Sequence, residues 1–109
     1  MDKLDALSSF AALGQETRLD VLRLLIKAGE QGMSAGEIGD HLGIKQNTMS
    51  ANLAVLARTN LVTNKREGRS IRYYANFAGI RELIGFLMED CCGGNPEICN
   101  PLLEQLKCP

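Results

Sequence analysis

Three thiols fall within nine residues near the end of this 109-residue chain, in the run Cys91-Cys92-Gly93-Gly94-Asn95-Pro96-Glu97-Ile98-Cys99. The stretch from Met1 to Asp5 has no basic segment leading into an apolar one, and no apolar run reaches the roughly 18 residues of a membrane span. A cytoplasmic location without membrane attachment is therefore expected, where thiols stay reduced. In that setting the cluster reads as a soft-ligand site or a redox centre before it reads as a disulfide staple. Thiolate-rich sites select soft ions, and the single histidine, His41, lies too far along the chain to complete a common zinc set. Cys91 and Cys92 could also extend an apolar helix face, but Cys99 follows a Gly-Gly turn where no such face continues. Cys108, beside Pro109, is expected to be a bystander.

Local electrostatics narrow the chemistry. Glu89 and Asp90 precede the pair, and the negative end of a preceding helix would point at it; both disfavour the thiolate. Reactive redox cysteines sit in electropositive surroundings, which these are not. A thiol-based reductase would need an anion-binding loop and a basic residue beside the nucleophile, so catalysis is not expected.

A second constellation lies upstream. The formal charge is only −1, yet residues 45 to 72 carry Lys45, Arg58, Lys65, Arg66, Arg69 and Arg72 against Glu67 alone. A basic stripe on an otherwise acidic chain is the footprint of a nucleic-acid face.

The elements that must position these groups follow from periodicity. Leu4, Leu7, Phe10 and Leu13 suit one face of a first helix ending at Gly14. Thr17 can cap or open a second, with Leu19, Leu22, Leu25 and Ile26 as its buried stripe. Ser34 and Glu37 have capping-box spacing for a short third helix that buries Ile38 and Leu42 and stops at Gly43. From Lys45 to about Thr59 a fourth helix turns Met49, Leu53 and Leu56 inward. Gln46, Asn47, Thr48, Ser50 and Asn52 remain outward or at the flank, where amides and hydroxyls can reach base edges and phosphates. Residues 61 to 74 form two β-rich runs about Glu67-Gly68, a basic hairpin or wing presenting Lys65, Arg66, Arg69 and Arg72. A last helix from Phe77 places Ile80, Leu83, Ile84 and Leu87 at steps of three and four. Such a stripe wants a partner, so a homodimer is expected through the terminal helices, with Leu4 and Leu7 joining the seam.

This order of elements resembles the ArsR/SmtB family of winged-helix repressors over roughly residues 8 to 91. The likeness is strongest in Ala12-Leu13-Gly14-Gln15-Glu16-Thr17-Arg18-Leu19-Asp20-Val21-Leu22, close to the family's "ALADPTRLRIL" opening. Gln46-Asn47-Thr48-Met49-Ser50 stands where members often read "QPTVS", and the wing Arg66-Glu67-Gly68-Arg69 also matches. The third-helix "CVC" of some metal sensors is absent here, as are the histidine ligands that others carry on the last helix. Arsenite-responsive members with a vicinal Cys pair and a third Cys after the last helix have a tail similar to this one.

The resemblance implies a mostly α fold with a small β-hairpin, a winged helix-turn-helix of order α-α-α-α-β-β-α. Residues 1–92 would form the DNA-binding and dimerisation domain, and residues 93–109 a tail completing a metalloid site. It further implies a homodimer on double-stranded operator DNA, released when Cys91, Cys92 and Cys99 bind As(III), or Sb(III), with no organic cofactor. A thiol-redox or Cd/Zn-sensing repressor of the same fold is the alternative, and a thiol-based metal buffer a more distant one.

Overall fold

The computed structural model describes residues 1–89, 101, 104 and 105. In chain order, α1 spans Lys3–Leu13, α2 Glu16–Ala28, a single 3-10 turn Gly29–Gln31, β1 Met33–Ser34, α3 Ala35–Leu42, α4 Gln46–Arg58, β2 Val62–Glu67, β3 Ser70–Ala75 and α5 Phe77–Leu87. The expected winged helix-turn-helix is present, and its wing is larger than a hairpin. Met33 and Ser34 pair with Tyr73 and Arg72, so the sheet has three antiparallel strands in the order β1-β3-β2. Two residues are too few to show a strand period, which hides β1 in the sequence.

The helix ends are set by local chemistry. Asp2 caps α1, its Oδ1 accepting from the Asp5 amide at 2.8 Å. Gln15, rather than Thr17, caps α2 by accepting from the Arg18 amide at 2.8 Å. The Ser34–Glu37 capping box forms as expected: the Glu37 amide donates to Ser34 Oγ at 3.2 Å and the Ser34 amide to Glu37 Oε1 at 3.0 Å. Gly43 then ends α3 in the left-handed region. At the wing tip Gly68 takes φ +61°, the first place of a two-residue loop that needs a positive φ.

One core unites these elements. Val21, Leu25, Ile38, Met49, Leu53 and Leu56 meet beneath the helix-turn-helix, and Leu61, Val62 and Ala75 continue the core to the base of the wing. Gly32 lets α2 and the 3-10 turn close on the sheet; a Cβ there would lie 2.5 Å from the Tyr73 carbonyl oxygen and 2.6 Å from the Tyr74 ring.

The terminal helices depart from the expected packing. α1 buries Ala6, Ser9 and Ala12 rather than Leu4 and Leu7, because small side chains let it lie close against its neighbours, and Leu13 packs half-buried on the core. Ser9 is satisfied there by donating to the Thr59 carbonyl oxygen at 3.3 Å. Leu4 is 74% exposed and Leu7 55%. Leu19 and Ile26 of α2 are also exposed, and Val21 takes their place in the buried stripe. On α5, Leu83 is only 5% exposed and joins the core, with Ile80 packed against it. Leu83 therefore does not belong to an open seam, and Ile80 is at most its edge. Ile84 and Leu87 remain exposed, Leu87 at 63%.

Candidate DNA-binding face

α4 begins at Gln46 because Lys45 is extended and Gly43-Ile44 turns the chain away from α3. Burial of Met49, Leu53 and Leu56 fixes the helix's rotation, which leaves Gln46, Asn47, Thr48 and Ser50 exposed, as expected. Asn47 Oδ1 accepts from the Thr48 amide at 2.8 Å, satisfying one of the donors that the helix start leaves unpaired.

Asn52 is the exception. It is 7% exposed, and its Oδ1 accepts from Arg18 Nη1 at 3.2 Å. An amide so placed cannot read DNA, and its assignment to the DNA face is corrected. Arg18 is held on its other side too, Nε donating to the Ala12 carbonyl oxygen at 2.7 Å.

The wing cations divide the same way. Arg72 is committed to the protein: Nε donates to the Gln31 carbonyl oxygen at 2.5 Å, Nη2 to that of Gly32 at 3.2 Å, and Nη1 meets Glu37 Oε1 at 3.2 Å. These contacts bolt the sheet to the start of α3, a use of Arg72 that its expected phosphate contact did not include. Arg72–Glu37 is the only ion pair among the described residues, so Lys65, Arg66 and Arg69 have no carboxylate partner there. Lys65 lies opposite Arg72 in the β2–β3 register, where like charges would repel. Glu37 offsets that repulsion. The Ser34 amide and hydroxyl, with Arg72 contributing, hold the Glu37 carboxyl below the usual carboxylate range.

A groove of about 430 Å³ joins the helix-turn-helix to the wing, lined among others by Ser34, Gly36, Gln46, Ser50, Arg69 and Tyr73. Hydroxyls, an amide, a phenol and an unpaired guanidinium thus converge beside the start of α3. Negative phosphate oxygens suit such a set. The sequence reading missed Ser34, Gly36 and Tyr73, since none is basic; the packing of α3 on α4 brings the first two to the groove, and the β1–β3 pairing sets Tyr73 beside them.

Cys91, Cys92 and Cys99 lie outside the described residues, as do Cys108 and most of the 93–109 tail. Among the described residues no cluster of three or more His, Cys, Asp or Glu side chains could hold a metal ion. No helix among them is long and apolar enough to cross a membrane.

A helix-turn-helix domain model matches residues 13–64. The transcriptional repressor SdpR of Bacillus subtilis is 30% identical over 79 residues, 72% of this chain and 84% of that protein. The transcriptional activator HlyU of Vibrio cholerae is 29% identical over 84 residues, 77% of this chain and 75% of that protein. Among solved structures, an ArsR-like transcriptional regulator from Rhodococcus sp. RHA1 superposes with a TM-score of 0.70 at 27% identity, covering 94% of this chain and 92% of its own.

Proposed function

The chain belongs to the ArsR family of winged-helix transcriptional regulators, and from that premise we propose that it is an arsenite-responsive repressor acting as a homodimer on operator DNA. The observation that carries the reading is the segregation of its chemistry. The described residues hold a polar, cationic face and no metal-binding cluster, while Cys91, Cys92 and Cys99 stand together beyond α5.

Gln46, Asn47, Thr48 and Ser50 enter the major groove from α4, and Lys65, Arg66 and Arg69 meet phosphates or a minor groove from the wing. Leu4 and Leu7 of α1 with Ile84 and Leu87 of α5 are exposed apolar groups on helices that touch one another, and they supply the seam between two copies.

The thiols fit trivalent arsenic better than a divalent cation. As the neutral trihydroxide it condenses with three neutral thiols, each As–S bond replacing an As–O bond with loss of one water and no net proton. Zinc or cadmium would require deprotonated sulfurs and a fourth ligand, and Glu89 and Asp90 disfavour that charge state. Sb(III) follows the same chemistry. Binding next to α5 would alter the seam and with it the spacing of the two α4 helices. A difference in affinity of about 1 to 3 kcal/mol between bound and free states suffices for release.

The test is a titration of the reduced protein on a labelled duplex selected by that protein from a random pool. Release by arsenite at lower concentration than by cadmium, zinc or peroxide is the expected result. Release by peroxide alone would put the thiol-redox reading in its place, and release by cadmium or zinc alone the divalent-metal one.

A further inference from the structure

The outward ridge of α4 is not polar along its length. Opposite the buried Met49, Asn52, Leu53 and Leu56, the exposed residues Asn47, Ala51 and Ala54 follow at steps of four and three and so share one line. Gln46 and Ser50 lie to one edge of it, in the groove with Arg69 and Tyr73. With Asn52 turned inward onto Arg18, the middle of the ridge presents two methyl groups and no hydrogen-bonding side chain.

We propose that Ala51 and Ala54 set base specificity by packing against the 5-methyl groups of thymine, so that the centre of each half-site is A·T. The proposal rests on the reading of α4 as the helix that enters the major groove. Of the four bases only thymine offers an apolar group on that groove's edge, and alanine is among the side chains suited to it. A methyl set against the acceptors of guanine or the amino group of cytosine would displace water without replacing its hydrogen bonds. Short side chains at the ridge also allow closer approach, because a helix with its side chains is about 10–12 Å across and the groove about 12 Å wide.

The test uses the full-length reduced protein and a duplex it enriches from a random pool. Each thymine of the enriched half-site is replaced in turn by deoxyuridine, which keeps every hydrogen-bonding group and removes only the methyl. One or two thymines per half-site are expected to lose about fourfold in affinity when substituted, the equivalent of about 0.8 kcal/mol for one buried methyl-sized group. Ala51→Gln, an exposed change on a helix surface, should abolish that effect at one thymine and shift base preference there alone. Deoxyuridine substitutions that are all neutral would overturn the proposal while leaving operator binding intact. So would G·C enrichment at the position whose preference Ala51→Gln alters. A pool from which no sequence is enriched would overturn the operator reading itself, and this proposal with it.

Discussion

Arg18 Nη1 donates to Asn52 Oδ1 at 3.2 Å, and this contact ties the start of α2 to the inner side of α4. Because Arg18 Nε also holds the Ala12 carbonyl oxygen at the end of α1, one guanidinium links a helix of the proposed seam to the helix that faces DNA. Asn52→Ala should cost about 1 kcal/mol, the contribution of a hydrogen bond whose donor, Arg18, is partly buried and whose acceptor is buried. In a double-mutant cycle by urea denaturation, Arg18→Ala and Asn52→Ala together should cost less than the sum of the single changes. Coupling of about 0.5 kcal/mol or more is expected, and strict additivity would mean that the contact carries no energy.

Arg69 and Arg72 are three residues apart and should behave differently. Arg69→Ala is expected to weaken binding to every duplex and to lower the slope of log K against log salt by about one phosphate contact. Arg72→Ala should leave that slope nearly unchanged and lower thermal stability, since Glu37 and the carbonyls of Gln31 and Gly32 lose their donor. Equal slope changes for the two would return Arg72 to the DNA face.

Much of this division is beyond what a sequence shows. The capping box at Ser34, the stop at Gly43 and the turn at Gly68 rest on residues within a few places of one another, so their spacing alone reveals them. Asn52 misleads because an amide on a helix flank looks like its neighbours until a partner 34 residues away is known. The protein contacts of Arg72 are hidden for the same reason, its partners lying 35 to 41 residues distant. The leucines of α1 obey helical periodicity, but periodicity marks an apolar face without saying whether the chain's own core or a second copy covers it. The inner face of α1 is instead made of Ala6, Ser9 and Ala12, residues too small to register as a hydrophobic stripe.

The seam is best probed at Leu87. Leu87→Asp should yield a folded monomer in sedimentation analysis that has lost most operator binding, because each subunit then reaches only one half-site. Leu83→Asp should instead unfold the chain, since it places a charge in the core. A Leu87→Asp protein that stays dimeric would move the interface elsewhere.

Acid should loosen the joint between wing and α3. The Glu37 carboxyl is held below its ordinary range by Ser34 and Arg72, so the folded state binds its proton less readily than the unfolded state. Its contribution is present at neutral pH and is lost as pH falls below the usual carboxylate range through the folded value. Glu37→Gln should therefore be less stable than the wild type near pH 7, and the gap should narrow on acidification. A gap independent of pH would show that the charge of Glu37 is immaterial.

Release from DNA by arsenite, followed in parallel for the wild type and the single variants Cys91→Ser, Cys92→Ser, Cys99→Ser and Cys108→Ser, tests the arsenite reading most directly. All five proteins should bind the selected duplex with similar affinity. Arsenite should displace the wild type and Cys108→Ser, and leave the other three in place. Loss of arsenite response in none of the three, with all still leaving the duplex, would contradict the assignment of Cys91, Cys92 and Cys99 as the inducer site.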